Sequence, residues 1–225
     1  MNWLKKNWGW ITITIIGILP LIGILKMINI DITGTSETWI TMDSFTFQGR
    51  HRGELPKEVT GAQMAVKETG EWAIRWLVIV LSLTPFTILT KIKSRLHVRQ
   101  AVGITAFVYA FLHLLFFCID KGFIETFKEF GNILGLIATL FMFVLAITSN
   151  KQSMKYLRRK WKKIHKLAYL TGILAILHLA LLEHGDWIPY AVILIFGFII
   201  RNTNINKSID QLRIRTSQIP VFAKD

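Results

Sequence analysis

The chain has 225 residues, of which 52% are hydrophobic and 18% are charged, and its formal net charge is +13. Soluble domains are about 45–50% apolar and about 25% charged, so this composition indicates a protein immersed in lipid. The single cysteine, Cys118, excludes a disulfide framework and a cysteine-rich zinc module.

Six apolar stretches approach the length of a membrane-spanning helix, which needs about 20 residues. They cover residues 8–28, 72–90, 100–119, 131–149, 166–182 and 188–200, and the last is the shortest. The first resembles a signal peptide, but its apolar run is too long and lacks a small-residue cleavage site, so we expect a retained helix. These stretches predict an all-α integral membrane bundle of six transmembrane helices, a single domain over residues 1–225 without an internal repeat.

The basic residues predict the orientation of this bundle. They gather at the N-terminus, between the second and third spans, between the fourth and fifth spans, and in residues 201–225. Acidic residues gather in the other connections, above all in residues 29–70. Because basic loops stay in the cytoplasm, both termini are predicted inside, with 29–70 as an outer loop and 201–225 as a cytoplasmic tail. The net charge then reflects topology and contact with anionic lipid, not nucleic-acid binding.

Two histidines lie deep inside predicted spans, His113 in the third and His178 in the fifth. An ionisable group at this depth is costly and is usually functional. Both spans run in one direction, and both histidines lie about 18–20 Å from the cytoplasmic ends. No carboxylate or thiolate accompanies them, and a haem iron needs only two axial protein ligands. Without a Cys-x-x-Cys-His motif, b-type haem held by His113 and His178 is predicted; the alternative is a structural histidine pair.

Small residues occupy the same stretches as the two histidines. Ala106 and Ala110 precede His113, and Gly172 and Ala175 precede His178. Side chains of this size predict space for a flat macrocycle beside the imidazoles.

A second, inner site is predicted around His165, which follows a basic run at the cytoplasmic mouth of the fifth span. An ideal helix would place His165 and His178 on different faces, and a kink or a π-bulge near Gly172 would allow both to face one bundle interior. Arg99 lies at the matching depth on the third span, and arginine is not a haem ligand. The inner site is therefore open to a five-coordinate haem, a haem with another ligand, a flavin or a quinone; otherwise His165 only contacts lipid phosphate.

Arg75 in the second span is a further candidate for cofactor contacts. Arginine matches carboxylate geometry, which predicts that Arg75 binds a haem propionate or a quinone oxygen. The alternative is that its side chain extends to the outer lipid headgroups.

Three segments resemble the MsrQ (YedZ) family, haem-binding membrane subunits of the protein-methionine-sulfoxide reductase system within the ferric reductase-like transmembrane group. They are TGEWAIRWLVIVLSLTPF at 69–86, RQAVGITAFVYAFLHL at 99–114 and AITSNKQSMKYLRRKWKKIHKLAYLTGILAILHL at 146–179. The resemblance implies one or two b-type haems bound by His113, His165 and His178. Oxidases of the wider group have two histidines on the third span, where this chain has His113 and Arg99.

The resemblance also implies a direction of electron flow. Electrons enter from a quinol or a flavin reductase on the cytoplasmic side, with bound FMN or quinone, and leave to an extracytoplasmic molybdopterin methionine sulfoxide reductase. The chain has no Gly-x-Gly-x-x-Gly dinucleotide motif, so we expect an electron-transfer subunit of an oxidoreductase in a bacterial cell membrane. Two alternatives stay open: a stand-alone ferric or quinone reductase cytochrome, and a transporter or scaffold without haem.

Overall fold

The protein is a bundle of apolar helices. A computed structural model describes residues 2–26, 28–30, 40–47, 57–92, 95–182 and 187–202, together with residues 205, 207, 209 and 211. The helices are α1 (Asn2–Leu25), α2 (Gly61–Thr90), α3 (Leu96–Lys121), α4 (Phe130–Ile147), α5 (Lys151–Leu157), α6 (Arg159–Ile164), α7 (Leu167–Leu181) and α8 (Trp187–Arg201). A 3₁₀-helix covers Phe123–Phe127.

Five helices in the described part of the chain are long and apolar enough to cross a membrane, and α6 and α7 together form the fifth of these. The helical, multi-span character of the predicted fold is thereby confirmed. The sixth predicted span corresponds to α8, which has 15 residues. The six-span count and the inside position of both termini stay predictions.

The described residues of the predicted 29–70 loop include regular structure. This part of the chain contains two antiparallel hairpins, which the all-α prediction missed: β1 (Ile28–Ile30) pairs with β2 (Ile40–Met42), and β3 (Phe45–Phe47) pairs with β4 (Lys57–Val59). The helix α2 begins at Gly61 because Thr60 and Gln63 form a capping box. The sequence predicts a loop for the first ten residues of α2, since they include polar and charged side chains that do not resemble a membrane span.

The helix α2 lies at the centre of the bundle and contacts α3, α7 and α8, while α4 contacts α3 and α7. The main buried cluster combines residues from four helices: Ile74, Leu77, Leu81, Val102, Ala106, Tyr109, Met142 and Leu194. Large apolar side chains such as Leu19, Phe111 and Ile195 are exposed on the outside of the bundle. An apolar exterior of this extent is typical of a surface that contacts lipid.

Two opposite ends of the bundle can be distinguished by their connections. The basic end carries residues 91, 92, 95 and 148–166, where α2 and α4 finish and α3 and α7 begin. The opposite end carries residues 122–129, between α3 and α4. Because α3 and α7 both start at the basic end, they run in the same direction, as the sequence predicts.

Tyr109 attaches α1 to the core, and its substitution tests this packing. Its ring is fully buried, and its hydroxyl donates a hydrogen bond of 2.6 Å to the Gly17 carbonyl oxygen of α1. We expect Tyr109→Phe to lower the free energy of unfolding by about 1 kcal/mol, because the carbonyl oxygen loses its buried donor. Thermal unfolding in detergent measures the change, and Tyr156→Phe on exposed α5 is the control. Equal melting temperatures for both variants would contradict this account.

Candidate metal centre

His113 and His178 face each other between α3 and α7. Their ring centroids lie 6.2 Å apart, and the ring planes make an angle of 77°. Both histidines lie nearer the opposite end of the bundle than the basic end, since His113 is in the C-terminal third of α3 and His178 is in the last turn of α7. The structure therefore brings together the two residues that the sequence selects as a pair.

Each imidazole is oriented by a hydrogen bond to a backbone carbonyl of a neighbouring helix. His113 Nδ1 lies 2.9 Å from the Val66 carbonyl oxygen of α2, and His178 Nδ1 lies 2.8 Å from the Gly131 carbonyl oxygen of α4. Because a carbonyl oxygen only accepts, Nδ1 must carry the hydrogen in both rings. In the neutral imidazole, Nε2 then carries the lone pair that binds a metal.

A glycine lies against each histidine ring. A Cβ atom added to Gly70 would lie 2.9 Å from His113 Nδ1, and a Cβ atom added to Gly135 would lie 2.8 Å from His178 Nδ1. These distances are shorter than real Cβ contacts, so any larger residue would displace the ring. The two glycines allow the imidazoles to approach the backbone closely enough for their hydrogen bonds.

The two halves of the site repeat one arrangement. In both, the histidine lies 47 residues after the residue whose carbonyl it contacts. In both, the glycine against the ring follows that carbonyl by one helical turn, as Gly70 follows Val66 and Gly135 follows Gly131. This repeated arrangement is not evident as an internal repeat in the sequence, because only a few residues in each half take part in it.

The geometry fits a metal ion held from two sides. Two metal–nitrogen bonds of about 2 Å each, plus the radii of two imidazoles, give a separation of about 6 Å between ring centroids. Within the described residues there is no group of three or more His, Cys, Asp or Glu side chains that could hold a metal ion. Two protein ligands suit a metal whose remaining ligands come from a macrocycle, as in haem.

The small residues that the sequence selects as space for a macrocycle serve helix packing instead. Ala106 and Ala110 are buried in the main cluster, and Ala175 packs against it. A Cβ atom on Gly172 would lie 2.8 Å from Leu81 Cδ1 of α2. The residues whose backbone lies closest against the imidazole rings are Gly70 and Gly135. Neither is among the residues selected from the sequence.

His165 lies at the basic end, in the break between α6 and α7. This turn at residues 165–166 replaces the kink expected near Gly172. His165 Nε2 lies 3.2 Å from Thr148 Oγ1, and its ring stacks on Trp161 with centroids 4.0 Å apart. Trp161 Nε1 donates a hydrogen bond of 2.9 Å to the Thr148 carbonyl oxygen. His165 is therefore part of a polar cluster at the end of α4, separate from the His113–His178 pair.

The two candidate arginines lie at different levels of the bundle, Arg75 on α2 and Arg99 on α3. Arg99 Nη2 lies 3.5 Å from Thr87 Oγ1, near the basic end. Arg75 Nη2 forms an ion pair of 2.6 Å with Glu71, and the Arg75 guanidinium lies 4.8 Å from the Trp72 ring centroid. Arg75 is displaced about 140° around α2 from Gly70, the residue that touches His113. The structure thus pairs Arg75 with Glu71 and does not bring it to the histidine pair.

Two other histidines, His51 and His184, lie outside the described residues. His97 lies in the first turn of α3. A Cβ atom on Gly9 of α1 would lie 3.1 Å from its Nε2, so this histidine packs between α1 and α3.

Known proteins show similarity to the part of the chain that holds this site. The family described as "Ferric reductase like transmembrane component" matches residues 69–181. Proteins named "Protein-methionine-sulfoxide reductase heme-binding subunit MsrQ" from Xanthomonas oryzae pv. oryzae, Xanthomonas euvesicatoria pv. vesicatoria and Xanthomonas campestris pv. campestris are each 38% identical over 125 residues. The match covers 52% of this chain and 57% of each relative. No solved structure matches. The family resemblance drawn from the sequence is confirmed.

The contact between Gly135 and His178 can be tested by adding one methyl group. We expect Gly135→Ala to displace the His178 ring and to weaken binding of the predicted haem about tenfold, the lower range for loss of a supporting contact. Haem titration of the purified apoprotein, followed by absorbance, measures the affinity. Gly103→Ala is the control, since its Cβ would make only an ordinary contact of 3.9 Å. Equal haem affinity for the Gly135→Ala variant and the unsubstituted protein would contradict the steric role.

Proposed function

The chain belongs to the ferric reductase-like transmembrane component family, and from this we propose that it is a haem-binding membrane subunit that transfers electrons. It is a multi-pass bacterial membrane protein. The observation that carries the proposal is the facing pair His113 and His178, each with Nδ1 bonded to a helix carbonyl. The relatives that are named heme-binding subunits support the same ligand.

We propose that His113 and His178 would together hold the iron of one b-type haem. Haem supplies one-electron oxidation and reduction when it is bound. The carbonyl oxygens of Val66 and Gly131 would fix the tautomer and the rotation of each ring and increase the basicity of Nε2 toward a metal. Because both rings are already held by these hydrogen bonds, the site would need little rearrangement to bind the group.

The direction of transfer follows from the proposed topology. We propose six spans with both termini inside, because the basic end then lies in the cytoplasm. The His113–His178 pair is nearer the opposite end, so its electrons leave toward the outer surface. An extracytoplasmic methionine sulfoxide reductase is the proposed acceptor, on the basis of the names of the relatives; the acceptor's molybdopterin is part of the same proposal.

We propose that electrons enter at the basic end, where His165 and Arg99 lie. His165 Nε2 contacts Thr148 Oγ1, which itself donates to the Val144 carbonyl oxygen over 2.7 Å. With His165 Nε2 engaged in this way, a flat cofactor such as FMN or a quinone fits the inner site better than a second haem. The donor is then a quinol or a flavin reductase. Arg75 does not lie at this inner site. A contact between Arg75 and a haem propionate would compete with the ion pair between Arg75 and Glu71.

A second candidate function is that of a stand-alone ferric or quinone reductase cytochrome. The matched family favours it, because that family is described by ferric reductase and not by sulfoxide reductase. Both functions require the same haem. They differ in whether the reduced haem passes its electron to a purified sulfoxide reductase or directly to ferric ions or quinone.

The ligand assignment is tested by difference spectroscopy of the purified protein, reduced with dithionite minus oxidised. We expect a b-type haem band that is lost in His113→Ala and in His178→Ala, and retained in His97→Ala on the same helix. Imidazole added to His113→Gly should restore the band, because the free ring replaces the missing ligand. A featureless spectrum of the unsubstituted protein would favour the transporter or scaffold alternative, and full spectra in both alanine variants would exclude the pairing.

The topology is tested by labelling single cysteines in intact cells, in a Cys118→Ser background. Lys128 and Lys155 are exposed at opposite ends of the bundle. We expect Lys128→Cys to react with a membrane-impermeant maleimide from outside, and Lys155→Cys to react only after permeabilisation. The reverse pattern would invert the proposed direction of electron transfer.

A further inference from the structure

A cavity lies at the end of the bundle opposite the basic end, next to the hydrogen bond that orients His178. It has a volume of about 390 Å³ and lies between the start of α4 and the end of α7. Its lining residues are Glu129, Phe130, Gly131, Leu181 and Leu182. The histidine pair uses only one group of this lining, the carbonyl oxygen of Gly131.

Gly131 connects the cavity to the His178 imidazole. Its carbonyl oxygen lies 2.8 Å from His178 Nδ1, and a Cβ atom added to Gly131 would lie 2.9 Å from Leu182 Cγ in the lining. A group that fills the cavity is therefore separated from the imidazole by a single residue. The carbonyl that holds His113 belongs to Val66 of α2, which does not line the cavity. His178 is thus the ring through which the cavity connects to the pair.

Glu129 places a negative charge at the edge of the cavity. Its side chain is exposed and makes no capping hydrogen bond to α4. Asp120 and Glu125, which also lie at this end, form ion pairs of 3.7 Å with Lys121 and 2.5 Å with Lys128. Glu129 forms no ion pair with any side chain in the described ranges. An exposed carboxylate of this kind complements a cationic group on a binding partner.

The remainder of the cavity lining is apolar and accessible. Phe130 is 67% exposed and Leu181 is 53% exposed. Phe123 and Phe127 of the adjoining 3₁₀-helix are also exposed, and their ring centroids lie 5.3 Å apart. A charged group is costly in hydrocarbon, so the carboxylate of Glu129 favours a position of the cavity in water and not in lipid. Exposed aromatic rings beside such a cavity are typical of protein interfaces.

We propose that this cavity together with Glu129 is the docking surface for the protein that accepts the electrons. The acceptor inserts an apolar side chain into the cavity and pairs a Lys or Arg side chain with Glu129. This deepens the proposed function and rests on it for the acceptor, an extracytoplasmic methionine sulfoxide reductase. Docking here places the acceptor beside His178. One electron then leaves the group held by the histidine pair, which is oxidised, and reduces the acceptor, without transfer of a proton or an atom.

The docking surface is tested by the affinity of the full-length protein in detergent for a purified extracytoplasmic methionine sulfoxide reductase, measured by biolayer interferometry. We expect Glu129→Lys to raise the dissociation constant at least about tenfold, because two cations then face each other. Glu58→Lys is the matched control, since Glu58 of β4 is exposed, lies outside the cavity lining and undergoes the same change of charge. Equal dissociation constants for these two variants would overturn the docking surface and leave the acceptor assignment intact.

A second measurement does not depend on how Glu129→Lys folds. Phe130→Cys in the Cys118→Ser background places a thiol at the cavity, and Lys155→Cys at the basic end is its control. We expect saturating reductase to slow maleimide labelling of purified Phe130→Cys and to leave the labelling of Lys155→Cys unchanged. Unchanged labelling of Phe130→Cys would overturn the proposal. Failure of Phe130→Cys to react at all would assign the cavity to lipid, and disulfide-linked dimers would assign it to a second copy of the chain; either result also overturns the proposal.

Failure of the docking surface and failure of the proposed function give different results. No binding of the reductase to the unsubstituted protein would overturn the docking surface and the proposed acceptor together. The difference spectrum reports the histidine pair separately, so an intact haem band in these experiments leaves the ligand assignment unaffected.

Discussion

The hydrogen bond from an imidazole Nδ1 to a helix carbonyl is the interaction on which the site depends. It occurs twice, at His113 with Val66 and at His178 with Gly131. Each bond fixes the tautomer, so that Nε2 is the nitrogen left to bind a metal. Without these bonds, two histidines at one depth would be separate polar groups in lipid, each needing its own partner. With them, the two rings can serve as the pair of ligands proposed above.

Backbone carbonyls also organise the basic end of the bundle. Pro85 leaves the Leu81 carbonyl without its helical donor, and Arg201 of α8 provides a replacement. The Thr148 side chain and carbonyl receive contacts from His165 and Trp161. In both places a polar group is satisfied by a side chain that lies outside its own helix. His165, for example, contacts the end of α4 and also lies at the proposed inner site.

The sequence predicts the spans and the histidine pair because both rest on local signals. Apolar length defines a helix, and residue counting along two parallel helices places His113 and His178 at one level. The glycines could not be predicted, because Gly70 and Gly135 matter through contacts with helices other than their own. Arg201 could not be predicted for the same reason, since its position depends on how α8 packs against Pro85. Hydropathy does not predict the start of α2, because the capping box of Thr60 and Gln63 defines it.

The central claim is that His113 and His178 together bind one iron porphyrin, and magnetic circular dichroism of the oxidised protein in the near infrared tests it most directly. This measurement identifies the axial ligands of ferric haem without any substitution. The account predicts the charge-transfer band of a low-spin haem with two imidazole ligands. A high-spin spectrum, a band from one histidine and a different second ligand, or the absence of haem would contradict it.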